Sequence, residues 1–528
     1  MKTRSFLLSV LAALMLAGCS EDAREDEIPG NVLVGKAYLS LSLQSRTSTL
    51  TRVDNVKTED GSAEESAVET VTVLLFDEDE MCLDVVNVPS GEITVGNSGG
   101  STPTTATASK AQLVPEKTKK VFVVLNSAKW TFTKEAVVGK AWSTINTAIE
   151  AVIGDVATNS KFVMASAGTK ANGALTPVTV HKPATYTASD VAAAKKAAED
   201  APATINVDRL SAKVQVSQAS GFTKPTGSNF TFNGWELSVT NKSVRLYSDL
   251  VTYDNATPGA VYRRDKNYLE SEQPDVSDNN TKEANMDAVF NYLKNIKNVS
   301  ENMPAVAQID NASLYCLENT MEAKAQQLGF TTKVVVKAQY TPAGIAKDAN
   351  YFSWKGAYYT LAQLKAEYLK HPNNSGLKVD LPAFLIKAGV MSQAEFDEGQ
   401  SKRDEIVANL SEGASANQLN EKTGIIGRFC AVRYYHASVC YYDVLIRHDQ
   451  NITTKMALGR YGVVRNNWYN IELNSVSGPG TPWIPDPSDP DPTNPTPPDT
   501  DDDEADAYLS VQITINPWTY WTQGVDLH

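Results

Sequence analysis

The feature that most constrains this chain lies near its C-terminal end. Gly478 to Asp506 is rich in proline and aspartate, with Pro485-Asp486-Pro487 and Asp489-Pro490-Asp491-Pro492. Proline lacks the N–H that helices and ladders need, and the aspartates repel one another. The stretch 479–506 therefore reads as an extended, semi-rigid linker rising ~3 Å per residue. A linker joins folded units, yet only Ala507 to His528 follows it, too short a segment to fold alone. Within that segment Ala507 to Ile515 alternates strictly. Leu509, Val511, Ile513 and Ile515 form one face, and Tyr508, Ser510, Gln512 and Thr514 the other. Period two marks a half-buried strand. Such a strand has to pair with a surface built elsewhere.

A matching strand stands near the other end. Ala37 to Leu43 reads Ala-Tyr-Leu-Ser-Leu-Ser-Leu, with Leu39, Leu41 and Leu43 on the apolar face. Both ends thus carry nearly the same strand in the same register, which implies one slot with two candidate occupants. Arg46 and Arg52 follow the first strand in a Ser/Thr-rich stretch, Gln44 to Val53, that suits a protease of basic specificity. A cut there would release the first strand and leave an apolar groove with unpaired backbone groups. The C-terminal strand of a second copy could fill it by β-augmentation. Such a contact is head-to-tail and propagates as a filament. Burial of the four aliphatic side chains would contribute roughly 6–10 kcal/mol before ordering costs. Trp518, Tyr520 and Trp521 follow the strand and are suited to anchoring it in a pocket.

The N-terminus sets the compartment. Lys2 and Arg4 precede an apolar run, Ser5 to Leu16, too short to span a bilayer as a helix. It leads into Leu16-Ala17-Gly18-Cys19, which is similar to a bacterial lipobox and implies cleavage before Cys19 and lipidation of that residue. The polar stretch Ser20 to Glu27 reads as a flexible tether and is similar to acidic surface-export signals. The net charge of −14 argues against binding nucleic acid or an anionic membrane through bulk charge. Beyond Cys19 the cysteines are Cys82, Cys316, Cys430 and Cys440, with no CxxC pair and hence no support for a zinc site. A Cys430–Cys440 disulfide stays open in an exported chain. The five histidines form no HExxH, and no GxSxG or phosphate loop appears. Asp443 and His448 near Tyr441-Tyr442 read as a strand surface. No enzyme and no cofactor are expected.

Between the ends, strand signals dominate. They fall at Val68 to Phe76, Val121 to Leu125, Ile205 to Val216, Phe230 to Val239, Lys333 to Tyr340, Val439 to Arg447 and Trp468 to Leu473. Many short strands between Gly, Asn and Thr-rich turns favour β-sandwiches, and 528 residues favour more than one domain. Helices are predicted over Val191 to Glu199, capped by Ser189-Asp190, over Glu283 to Lys297, over Thr360 to Leu369 and over Ser392 to Leu410. The last opens on a Ser392/Glu395 capping box.

Five stretches together resemble the major fimbrial subunits (fimbrillins) of Bacteroidia, which build type V pili. They are the lipobox, the arginine-containing loop, Val207 to Val214 (VDRLSAKV), Gly459 to Tyr469 (GRYGVVRNNWY), and the Pro/Asp stretch with its terminal strand. The resemblance covers nearly the whole chain and is strongest to the short-fimbria major subunit. It implies a mainly β fold of two transthyretin-like β-sandwich domains with a few helices, plus a C-terminal donor strand. The division expected is a signal peptide to residue 19, a propeptide 20–52, sandwiches at 53–222 and 223–478, the linker, and the donor strand 507–528. It further implies an outer-membrane lipoprotein precursor, cut by an Arg-specific protease after Arg46 or Arg52 and assembled into a fimbrium. The partners implied are other copies of the chain, minor, anchor and tip subunits, and host or bacterial surface ligands, in support of adhesion, aggregation and biofilm. In this frame Tyr461 to Tyr469 is a turn and closing strand, with Gly462 permitting a tight backbone and Arg465 pairing with a carboxylate. Arg209 and Lys213 would face solvent or the domain interface. The rival readings are a monomeric surface lipoprotein that binds glycan or host protein, and a tip or anchor subunit.

Overall fold

The computed structural model describes residues 33–519 apart from 46–58, 61, 63–64, 66, 89–109, 128–129, 131, 148, 151, 159–160, 253–260, 416, 450, 492, 495–496 and 505–508. The chain is mainly β, with several sheets and few helices. The first sheet runs in the order Leu41–Ser45, Ala203–Arg209, Met164–Ser166, Lys120–Leu125, Val71–Phe76, Cys82–Val88. Val73 to Phe76 and Val121 to Leu125 are continuous apolar runs because both faces of this sheet are covered. Val71, Val73, Leu75, Val121 and Val123 point to one side, where they meet Leu39, Leu41, Leu43, Ile205 and Val207. Leu74, Phe76, Phe122 and Val124 point to the other and pack with Trp142, Leu246, Tyr247 and Leu317. A two-stranded ribbon, Lys36–Leu39 with Gln112–Pro115, lies over the first side. Outside the ribbon, helix Ala188–Asp200 packs Ala194 and Ala198 against Tyr38.

The second sandwich opposes two sheets. One orders Ser313–Leu317, Ser211–Thr223, Asn467–Val476, Leu509–Thr519 and Glu59–Asp60. The other orders Asn229–Ser238, Lys333–Thr341 and Val439–Leu445. Alternate residues of both, among them Val214, Tyr469, Ile471, Trp235, Val336 and Tyr442, form a single core. A helical module is inserted between Lys333–Thr341 and Val439–Leu445. Helices Leu361–Lys370, Leu377–Lys387, Gln393–Asp397 and Gln400–Asn409 pack around Phe352, Tyr368, Leu381 and Phe384.

Several sequence expectations change. Ile205 to Val216 is not one strand. It breaks at Leu210, so that Ala203–Arg209 serves the first sheet and Ser211–Thr223 the second sandwich. The helix begun at Lys282 ends at Val289 instead of running to Lys297. Phe290 turns extended to pair with Asn241 and is buried against Val239 and Phe330. The cap of the alanine-rich helix is Thr187, not Ser189. The Ser392/Glu395 capping box forms, but the helix it opens stops at Asp397, and Gly399 at φ 109° separates it from the next. Helix Leu377–Lys387, with Pro382 inside it, was not anticipated. Cys430 and Cys440 are both free.

The largest departure concerns the Pro/Asp stretch, which does not stand away from the fold as an extended spacer. It is strapped along the second sandwich. Trp483 packs with Ile296 and Ile425, and Ile484 with Val306, Val335 and Tyr441. Arg428 binds Asp489 at 2.7 Å, and Lys333 donates to the Pro485 carbonyl at 2.8 Å. Farther on, Leu328 N–H donates to Thr500 O and Gly329 N–H to Pro498 O, while Asp502 N–H donates to Gln326 O. A Cβ on Gly329 would collide with Pro498, so only glycine allows that approach.

Candidate functional site

The first strand sits in a slot bounded on both edges. Lys36–Leu39 pairs antiparallel with Gln112–Pro115. On its other edge Tyr38 exchanges two 2.8 Å backbone hydrogen bonds with His181. Ser40 O then accepts from Ala203 N–H at 2.9 Å, and Leu41–Ser45 continues parallel to Ala203–Val207. From Ala37 to Leu43 no residue is more than 7% exposed, and Ala37 is at 0%. Leu39, Leu41 and Leu43 join the apolar cluster under the first sheet. Tyr38 faces the other way, toward Ala194 and Ala198, with Lys195 Nζ 5.8 Å from its ring, and burial raises its pKa. The alternation read from sequence thus resolves into two buried faces.

The C-terminal strand is docked on its own second sandwich. Leu509–Thr519 pairs antiparallel with Asn467–Val476, placing Leu509 opposite Val476, Val511 opposite Leu473, Ile513 opposite Ile471 and Ile515 opposite Tyr469. Trp518 pairs with Glu59 at the outer edge. Val511 is only partly buried against the core. The strand therefore has a home position before any neighbour is considered. Cys19, Arg46 and Arg52 lie outside the described residues.

The VDRLSAKV and GRYGVVRNNWY stretches meet where the two halves join, and there they assemble a buried polar lock. Asp208 accepts from Arg263 at 2.5 Å, and Arg465 binds Glu318 at 3.0 Å while donating to the Leu246 and Arg245 carbonyls. Asn466 Oδ1 accepts from Arg209, and its amide donates to Asp208. Arg209 and Lys213 are buried and do not face solvent. Lys213 Nζ lies 3.9 Å from the Trp468 ring and binds Glu65 at 2.7 Å. Glu65 also accepts from the Tyr315 hydroxyl, and its carbonyl accepts from Arg209. Burial works against the Glu65 carboxylate, but the hydrogen bonds from Lys213, Tyr315 and Ser62 outweigh it and hold its pKa below the usual range. Gly462, at φ 109°, lies where a Cβ would meet the Tyr262 hydroxyl and Asn319 O. The tight backbone and the Arg465 carboxylate partner read from sequence are both present.

The same stretch also holds the root of the C-terminal strand. Arg460 grips Asp503 through Nε and Nη2, at 2.9 and 2.7 Å, and the Tyr461 hydroxyl donates to the same carboxylate at 3.0 Å. Beside it Thr331 donates to Asp502, which is fully buried. Burial pushes the Asp502 pKa up to about 8, only partly countered by Thr331, with Asp503 adding to the rise. Sequence reasoning missed Glu65, Arg263, Glu318 and Asp503. Each has its partner far away in the chain, so no spacing marked it. Asp443 and His448 are held apart in purpose, Asp443 by Lys333 and His448 by Tyr469. Burial lowers the His448 pKa to about 4.

These features define a mainly β protein of two interlocked halves with a self-filled strand slot at one end and a separately docked strand at the other. Residues 433–524 match the family model described as major fimbrial subunit protein type IV, fimbrillin, C-terminal. The C-terminal region of the chain thus belongs to the fimbrillin family of fimbrial subunits. Solved structures similar to the chain include putative cell adhesion proteins of Bacteroides eggerthii and Parabacteroides distasonis. The first is 11% identical over 94% of this chain and 98% of its own, with a TM-score of 0.39. The second is 14% identical over 92% and 99%, with a TM-score of 0.41. A fimbrilin (FimA) of Porphyromonas gingivalis is 15% identical over 92% and 98%, with a TM-score of 0.36. No curated protein matches the chain.

Proposed function

We propose that this chain is the precursor of a stalk subunit of a surface fimbria, most like a short-fimbria major subunit, and that it polymerises by exchanging its first strand for the C-terminal strand of a neighbour. In this reading it is exported as an outer-membrane lipoprotein lipidated at Cys19. An Arg-specific protease then cuts after Arg46 or Arg52. The polymer joins minor, anchor and tip subunits and supports adhesion, aggregation and biofilm.

One observation carries the reading. Ala37-Tyr38-Leu39-Ser40, each no more than 3% exposed in the slot, are repeated as Ala507-Tyr508-Leu509-Ser510. The match continues with Val511 for Leu41 and Ile513 for Leu43. The one large mismatch, Gln512 for Ser42, falls at the most exposed of the seven positions. In the slot Val511, which the home edge covers only in part, would be enclosed as Leu41 is, a gain of roughly 1.5–3 kcal/mol if it is fully buried. The test is to treat the purified precursor with an Arg-specific protease and follow SDS-resistant ladders, with and without residues 507–528. Ladders are expected only with the segment present, and equal laddering of the truncated chain would refute strand donation. N-terminal sequencing of the assembled chain distinguishes Arg46 from Arg52.

A further inference from the structure

The anchored strap limits how far the C-terminal strand can reach, and this bears on how two copies touch. The chain from Trp483 to Asp503 is fixed to its own second sandwich by two buried side chains, an antiparallel run along Gln326 to Gly329, and the Arg428–Asp489 and Arg460–Asp503 pairs. Releasing all of that would be far more costly than releasing one edge strand. If Ala507 takes the place of Ala37, only Ala505 and Asp506 separate it from Glu504, which is three Cα steps away. Three extended steps span about 10 Å.

We infer that the joint between successive subunits is a direct contact between the Asp499 to Glu504 corner of one copy and the mouth of the strand slot in the next, with no free spacer between them. This rests on the strand-exchange reading above. Two observations identify the opposing face. A strand running in the direction of the first one enters at its Lys36 end, where Lys36 lies opposite Pro115 and Gly35 O accepts from Glu116 N–H. There Lys117 and Lys182 are exposed, and Lys182 shares Glu116 at 2.5 Å. On the donor side Asp499, Asp501 and Glu504 are exposed. The two faces are therefore complementary in charge. An acidic corner meets a lysine-rich rim, and the occupant that carries both is a second copy of this chain.

Zero-length carboxyl-to-amine coupling on protease-matured ladders tests the contact. Peptides joining Asp501 or Glu504 to Lys117 or Lys182 are expected in ladders and not in the uncut precursor. Asp501→Lys with Glu504→Lys should slow laddering about tenfold at low ionic strength, as loss of electrostatic steering would. Adding Lys117→Glu and Lys182→Glu should restore the rate. A Gly-Ser spacer inserted after Glu504 should leave ladders intact but abolish the coupled peptides. Ladders that form without these cross-links, and that ignore charge reversal, would overturn the direct joint while leaving strand exchange standing. Absence of ladders from the parent chain would instead remove the reading beneath it.

Discussion

Enlarging Ala507 separates the slot from the home position of the C-terminal strand. Ala37, the residue it would replace, is completely buried and lies opposite Val114 in the ribbon. The described home pairing runs from Leu509 to Pro517. Ala507→Phe should therefore leave the uncut precursor as stable as the parent, because nothing in the docked pairing from Leu509 to Thr519 depends on residue 507. In the slot the same ring would have to displace packed neighbours. Overpacking of a close-packed site costs about 3 kcal/mol at the upper end of its usual range. At about 1.4 kcal/mol per tenfold, that is roughly a hundredfold loss of slot occupancy. The assay is laddering after protease treatment, paired with thermal unfolding of the uncut chain. Ala507→Ser, a small change, should ladder as the parent does. Parental laddering by Ala507→Phe would refute the claim that residue 507 takes the place of Ala37.

Two further outcomes follow from buried groups. Asp502 has its pKa pushed up to about 8 by burial, so between roughly pH 4 and pH 8 the folded chain holds a proton that the unfolded chain has lost. Stability therefore falls as pH rises through that window, by at most about 5 kcal/mol. Asp502→Asn keeps an acceptor for Thr331 and lacks the titration, so its advantage over the parent in urea unfolding should be near zero at pH 4 and grow to pH 8. A constant difference would count against the buried acid. Gly462→Ala should lower stability by about 2–4 kcal/mol, since it combines a positive φ with a collision against the Tyr262 hydroxyl. Chemical denaturation measures this, and a loss below about 1 kcal/mol would show that the turn yields.

Much of the fold was legible because local patterns and global burial agree. Continuous apolar runs at Val73 to Phe76 and Val121 to Leu125 belong to strands covered on both faces. The helix expected over Thr360 to Leu369 forms as Leu361–Lys370, with Thr360 as its cap and Gln363 completing a capping box. The break at Leu210 was not legible, because a chain can pass from one sheet to another without proline, glycine or a change in apolar pattern. Nor was the strap. Proline and aspartate composition predicts an extended backbone, and much of Gly478 to Asp506 does lie outside regular helix or strand. What composition does not record is that partners such as Arg428, Lys333 and Arg460 wait on the surface of the second sandwich. Trp483 and Ile484, two large apolar residues within a supposed linker, were the available warning.

The strap also bears on why a cut would be needed at all. While strand 36–45 is joined to the rest of the chain it competes for the slot as an intramolecular ligand, at an effective concentration in the millimolar range. A donor strand of nearly the same sequence on another molecule, itself held on its home edge by pairing with Asn467–Val476, cannot displace it at ordinary protein concentrations. Cleavage leaves the affinity of the first strand for the slot untouched and removes its tether, so that once it departs it is diluted away. The incoming strand then gains what the outgoing one lost. Held by Asp503 within about 14 Å of the place it must reach, it becomes the tethered competitor as soon as two copies meet corner to mouth. In this scheme the same short connection that restrains the strand in the monomer supplies the local concentration that makes the polymer persist.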